Sequence, residues 1–379
     1  SRQEEEIVIS GYANFEILEV GGGTGTYDMS LLADLSAVTV SEVIQAGAIV
    51  IDNAAAGTTV EFVSAASTDY DVSDTGGGND YAFDYQLADD AGLTDSLTMT
   101  LTAVDGNDDG AADGSITITG TLTAAGIETV NLVSRVGTLD ADVAATTGAD
   151  ESTVASDYSH VIADLVIDDT ITLNVSGGAN LEITALTAAA LTKVDAHTMT
   201  GGLTIDASGA AQAVEFLGGS GADDYTATVD GDTINAGAGA DIVTLDGGFV
   251  GLDTFVLDAG DSLLIATADG HDVINNFGTT VGGGALDQID LGAFGFTGTQ
   301  ASALANKGAL ANSVVDGTVL TQTGFFLSGG SSRGVAIGTN AGDTYAFVDV
   351  NKDGNFTAAN DLMIQLVGVT DVAAGNFGF

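Results

Sequence analysis

The chain has no cysteine, no proline and no tryptophan in 379 residues, and only 6 Lys and Arg. Without cysteine there is no disulfide and no thiolate site, so an extracellular life would need another staple, for which a metal ion is the natural candidate. Without proline, turns depend on the 53 glycines and on Asx side chains rather than on a pre-set φ. The scarcity of basic residues excludes nucleic acid as a partner, because phosphate binding needs a basic patch, and disfavours docking on anionic lipid. No apolar run approaches the ~18 residues of a membrane span. Aromatics make up 6% of a chain that is 45% hydrophobic, much of it alanine, so the core should be thin, as in layered or solenoid structures.

What is abundant is acid. The 54 Asp and Glu leave a net charge of -48, and pairing every Lys and Arg would still leave 48 carboxylates for water or metal. Hard divalent cations with oxygen ligands are the natural counter-charge, calcium first. The length exceeds the usual domain of about 100–200 residues, so more than one unit is expected. The start, "SRQEEEIVIS", has no Met and no signal-peptide pattern and reads as a processed end, with further chain expected upstream.

Short Val/Ile/Thr-rich runs recur, among them "FEILEV", "AVTVSEV", "TVEFVS", "LTMTLTAV", "SITITGTL" and "TITLNVS", separated by Gly, Asp, Asn and Ser. Helical periodicity is weak, with a brief helix expected within 301–313 and at most a turn at 357–361. A mostly-β protein follows. Internal repetition agrees: residues 58–80 and 212–232 each carry a VEF strand followed by an acidic Gly-rich stretch, and "ANFEILEV" parallels "AGIETVNLV". From about 172, rungs with two alternating apolar positions start every 8–12 residues, the spacing of a parallel β-solenoid.

Residues 218–244 keep time in nines: "GGSGADDYT", "ATVDGDTIN", "AGAGADIVT". Position six is Asp223, Asp232 and Asp241; position eight is Tyr225, Ile234 and Val243. Glycines stand at Gly218, Gly219, Gly221, Gly237 and Gly239, while Asp230 replaces one in the middle nonad. The pattern resumes with Asp253 and Phe255, and again with Asp272 and Ile274. Two nonads make a coil of 18, which puts Asp223 and Asp241 on the same side of adjacent coils. Glycine dihedrals would let carbonyls point at an ion between turns, with position eight facing inward. A Gly/Asp-rich loop without metal is the bland alternative; three nonads in phase with two further copies favour calcium.

Two other loops place oxygens at positions 1, 3 and 5 with Gly at 6, as at the start of an EF-hand loop. One is Asp105, Asn107, Asp109, Gly110 and Asp113, read as a hairpin loop between "LTMTLTAV" and "GSITITGTL". The other is Asp349, Asn351, Asp353, Gly354 and Asn355, with Asn360 at position 12 and Asp361 just beyond. Both lack a position-12 Glu and long flanking helices, and a solvated Asx turn is the alternative. "DTGGGND" around Asp80 is a degenerate nonad.

The nonads closely resemble the calcium-binding G-G-x-G-x-D-x-U-x repeat of the RTX, or hemolysin-type, β-roll family. "DVINNFG", "DQIDLGAFGF", the second loop and "DLMIQLVGVTDVAAGNFGF" follow the order of the C-terminal region of RTX proteins exported by type I secretion. "GYANFEILEVGGGTGTYDMS", "AGIETVNLVS" and "LTKVDAHTMTGGLTIDASGAAQAVEFLGG" resemble the β-rich body of RTX-type bacterial surface-layer proteins. The resemblance implies several calcium ions, held at the nonad and loop positions named above. It also implies a chain unfolded in calcium-poor cytosol, a type I secretion signal at the C-terminus, folding outside the cell, and a calcium-driven two-dimensional lattice. Its partners would be other copies of itself and a cell-surface polysaccharide bound through a region upstream of Ser1.

The expected architecture is all-β: a surface-layer-type unit over 1–120, a second β unit with solenoid rungs over 121–217, the β-roll over 218–293, and a small β-rich cap over 294–379. Catalysis is not expected. His160, His197 and His271 are too far apart in sequence for H-E-x-x-H zinc chemistry, and "GSSRG" around Ser332 has no later His for a hydrolase triad. An RTX adhesin or biofilm-matrix protein, and the secretion tail of an upstream enzyme, are the alternatives to a surface-layer protein.

Overall fold

The computed structural model describes residues 16–20, 24–32, 35–41, 48–64, 70–71, 82–104, 115–137, 155–247, 251–263, 270–279, 287–316, 321–370 and 372–379. The chain divides into two compact units, Ser1–Leu191 and Thr192–Phe379. In both, the regular structure among the described residues is almost wholly β-strand, mostly in parallel sheets, as the alternating Val/Ile/Thr runs predict. No helix among the described residues is long and apolar enough to cross a membrane.

The principal strands of the first unit are β1 (Ile17–Val20), β2 (Gly25–Asp28), β3 (Ala37–Val40), β4 (Ala48–Ala54), β5 (Thr59–Val63) and β6 (Ala82–Leu87). They continue with β7 (Ser96–Ala103), β8 (Ile116–Ala125), β9 (Thr129–Val136), β10 (Ser159–Val166), β11 (Thr172–Gly177) and β12 (Asn180–Ile183). Odd strands pair in one parallel sheet and even strands in the other, so the chain changes sheet at every step. That is a solenoid. Inward residues stack in register: Val38, Val60, Met99, Leu132 and Val175 on one sheet, Ile49, Phe83, Leu122 and Leu165 on the other. All are buried, each contributing about 1.5–3 kcal/mol of apolar transfer. The intervening positions, such as Thr98, Thr100, Thr117 and Thr121, face outward and supply the polar half of the alternation.

One expectation is corrected here. "LTMTLTAV" and "SITITGTL" do not form a hairpin: they are β7 and β8, which lie in different sheets and pair in parallel with strands of other coils. Both carry an apolar stripe that needs a facing layer, and succession around a coil provides one where a side-by-side hairpin would not.

In the second unit the alternation is again strict: β13 (Lys193–Met199), β14 (Leu203–Asp206), β15 (Glu215–Leu217), β16 (Asp224–Thr226), β17 (Thr233–Asn235), β18 (Ile242–Thr244), β19 (Thr254–Val256), β20 (Asp272–Asn275) and β21 (Gln288–Asp290). Asp224 pairs with Ile242 and Glu215 with Thr233, each a step of 18 residues, the coil that two nonads predict. The position-eight residues Tyr225, Ile234, Val243, Phe255 and Ile274 are all fully buried. Phe216 and Tyr225 stack across the interior with centroids 4.2 Å apart.

A small antiparallel set follows: β22 (Val335–Asn340), β23 (Asp343–Val348) and β24 (Leu362–Leu366), with β24 also pairing in parallel with β20. The last strand, β25 (Phe377–Gly378), pairs with β21. The segment expected to be helical at 301–313 holds the strand Ala305–Ala309, and only Asn312–Val315 is helical. Pairing of Ala305 and Asn306 with Ala336 and Ile337 outweighs the helix preference of a short Ala-rich run.

Candidate metal centre

Asp272 begins β20 and the other position-six aspartates immediately precede their strands, and their carboxylates cap the coil before them. On the even side, Leu203 N–H donates to Asp223 Oδ1 (2.7 Å), Asp223 N–H to Asp241 Oδ1 (2.8 Å) and Asp241 N–H to Asp272 Oδ1 (3.2 Å). On the odd side, Val214 N–H donates to Asp232 Oδ1 (2.8 Å), Asp232 N–H to Asp253 Oδ1 (2.9 Å) and Asp253 N–H to Asp287 Oδ1 (3.2 Å). These are two ladders of buried carboxylates, each one coil from the next.

The second carboxylate oxygen separates them. Asp223 Oδ2 accepts from Gly219 N–H (2.8 Å), and Asp287 Oδ2 from Gly278 N–H (2.6 Å). Asp232 Oδ2 accepts from Thr228 N–H (2.8 Å) and the Tyr225 hydroxyl (3.0 Å). The Oδ2 atoms of Asp241, Asp253 and Asp272 are buried and have no hydrogen-bond partner. In the third nonad the reason is visible: Gly237 has φ +86°, which turns its N–H to Asn235 Oδ1 (3.0 Å) and away from Asp241.

Burial opposes these charges. It pushes Asp253 up to about 7, helped by the charges of Asp287 and Asp232, and Asp223 up to about 6 in spite of its two N–H donors. Asp241 and Asp272 are raised too, by burial first and then by neighbouring acids, Asp272 acting on Asp241. A buried carboxylate with an orphaned oxygen costs free energy until a proton or a cation meets it.

The glycines bring the coils together. A Cβ at Gly219 would overlap Met199 O, and one at Gly237, already at positive φ, would overlap Gly219 O. Gly218, Gly221 and Gly239 are held as tightly against backbone carbonyls of neighbouring coils. Hard carbonyl and carboxylate oxygens are the ligand set of calcium, so the donors present fit that ion. Among the described residues no three Asp, Glu or His side chains are placed to share one ion, so carbonyls would supply much of the shell.

The C-terminal loop is built differently. Asp349 Oδ1 and Oδ2 accept from Asp353 N–H (3.1 Å) and Gly354 N–H (3.0 Å), and Asp361 Oδ1 and Oδ2 from Val350 N–H (3.1 Å) and Thr357 N–H (2.7 Å). Asn351 Oδ1 accepts from Asp353 N–H (2.9 Å), Asp353 Oδ1 from Asn355 N–H (2.7 Å) and Asn355 Oδ1 from Gly324 N–H (2.8 Å). Asp349 and Asp361 are fully buried, whereas Asn360 at position 12 is exposed. Burial, then the charges of Asp349 and Asp353, pushes Asp361 up to about 6. Asp80, Asp105, Asn107, Asp109 and Asp113 lie outside the described residues.

The position-six list omitted Asp287, although "DQI" repeats the Asp-x-apolar signature of "DDY", "DTI" and "DIV". Thr228, which donates its hydroxyl to Asp232 Oδ1 (2.8 Å), and Ser262 were also missed, and nothing in their spacing marks them. Among the histidines, His160 is buried and His197 exposed beside Asp195. His271 Nε2 lies 3.2 Å from Gln365 Oε1. Ser332 sits in a two-residue antiparallel strand, not at a strand-to-helix turn. No known protein-family model matches this chain, and no curated protein is similar to it in sequence.

Proposed function

We propose that the chain is a structural, calcium-binding surface-layer protein of the RTX type, exported by type I secretion, that folds on extracellular calcium and assembles with its own copies into a two-dimensional lattice. The observation that carries the calcium half is the set of orphaned, buried oxygens on Asp241, Asp253 and Asp272, within coils whose glycines admit no side chain. Asp241, Asp253 and Asp272 each spend one oxygen on the preceding coil's N–H and keep the other buried and unpartnered. Calcium, when bound there, supplies the positive charge that the sequence lacks. Because an ion held by the folded form alone stabilises it by mass action, millimolar calcium outside the cell would act as the folding switch.

The lattice half is supported by the first unit, a long solenoid body that a bare secretion tail would not need. The test is to add millimolar calcium to the metal-free protein and image it by electron microscopy: ordered sheets are expected, and folded monomers that never assemble would refute the lattice. An RTX adhesin is the second reading, supported by the same body; in that case folded monomers would bind a glycan or cell surface.

A further inference from the structure

The second nonad differs from its neighbours in what surrounds its acid. The first opens with Gly218 and Gly219 and the third with Ala236 and Gly237, but the second opens with Ala227 and Thr228. Asp232 Oδ2 accepts from Thr228 N–H (2.8 Å) and the Tyr225 hydroxyl (3.0 Å), and Oδ1 from Val214 N–H (2.8 Å) and the Thr228 hydroxyl (2.8 Å). An ionised carboxylate offers about four lone-pair sites, and here each oxygen meets two donors. Asp253, one coil further along the same ladder, accepts from Asp232 N–H and keeps Oδ2 without a partner. Of the position-eight residues Tyr225, Ile234, Val243, Phe255 and Ile274, only Tyr225 carries a hydroxyl. Its ring stacks on Phe216, and Tyr225, Thr228 and Asp232 are all fully buried. A hydroxyl takes a ladder role elsewhere in this unit as well: Ser262 Oγ accepts the Asp272 N–H (2.6 Å) at the end of the even side.

We infer that Asp232 holds no ion: the hydroxyls of Tyr225 and Thr228 take the lone pairs that a cation would need, and the carboxylate is a calcium-independent clamp between β16 and the start of β17. Hydrogen bonds to a charged acceptor are roughly twice as strong as neutral ones, so a cation could enter only by breaking the clamp. The inference rests on the calcium reading of Asp241, Asp253 and Asp272, and it divides position-six acids that the repeat pattern treats as equal.

The test counts ions. Calcium bound at saturation is measured by equilibrium dialysis of the full-length protein for the natural chain, Asp232→Asn and Asp253→Asn, with circular dichroism to confirm the fold. Asp232→Asn is expected to bind as many ions as the natural chain, and Asp253→Asn fewer. A lower count in Asp232→Asn would overturn the inference while leaving the calcium reading intact. An unchanged count in Asp253→Asn, or no uptake by the natural chain, would refute the underlying reading instead. Should Asp232→Asn not fold, Tyr225→Phe decides: in saturating calcium its unfolding constant is expected to rise about tenfold, because a hydrogen bond to a charged group is lost. Denaturation curves superimposable on those of the natural chain would overturn the inference, since an ion on Asp232 would already have displaced the hydroxyl.

Discussion

The two units solve one problem in two ways. In a parallel solenoid every strand start presents an N–H toward the coil behind it. In the second unit the cap is a carboxylate, repeated at Asp223, Asp241 and Asp272 and at Asp232, Asp253 and Asp287. In the first unit the caps are mixed: His160 Nδ1 accepts Ile116 N–H (2.9 Å) while its Nε2–H donates to Arg135 O (3.1 Å), and Glu128 Oε2 accepts Asp95 N–H (2.9 Å). A neutral cap is complete in itself. A carboxylate cap carries a charge, and on Asp241, Asp253 and Asp272 it also has an oxygen to spare.

The largest effect should come from removing that difference. Asp241→Asn, Asp253→Asn and Asp272→Asn together keep an N–H acceptor and remove three buried charges. The second unit should then fold without calcium, and the calcium dependence of the circular dichroism signal should vanish. A titration like that of the natural chain would mean that these acids do not hold the ion. Next, Gly237→Ala combines a positive φ with a backbone overlap and should cost about 2–4 kcal/mol, read as a lower denaturant midpoint in saturating calcium.

A smaller effect distinguishes the neutral cap. Burial lowers His160 to about 4, from an ordinary value near 6.5, so the unfolded chain takes up this proton before the folded one does. The stability it contributes is complete above about pH 6.5 and is lost as pH falls toward 4, at most about 3 kcal/mol. His160→Gln should flatten that slope in denaturant midpoints measured from pH 7 to 4. The smallest effect belongs to the surface pair Arg135–Glu61 (2.7 Å), half exposed, where Arg135→Ala should cost about 0.5 kcal/mol.

Much of this contrast is legible in the sequence of the second unit, because a strict 18-residue coil writes its register into the spacing of Asp223, Asp232 and Asp241. The first unit is harder to read. There Thr59 pairs with Thr98 and Asn131 with Asn174, steps of 39 and 43 residues, so loops of varied length hide the coil and the β7–β8 connection passes for a hairpin. The capping roles of His160 and Ser262 escape for a related reason: each depends on a partner 44 or 10 residues away that only the fold brings near. Nor could composition separate aspartates whose two oxygens are both satisfied, such as Asp223, from those left open, such as Asp241; the turn of one glycine N–H at Gly237 decides it.

Amide hydrogen exchange of the full-length protein, metal-free and then in millimolar calcium, tests the central claim most directly. Amides around Asp223, Asp241, Asp253 and Asp272 are expected to exchange freely without calcium and become protected with it, while those of β7, β9 and β11 are protected in both states. Equal protection of the aspartate ladders in the metal-free protein would contradict it.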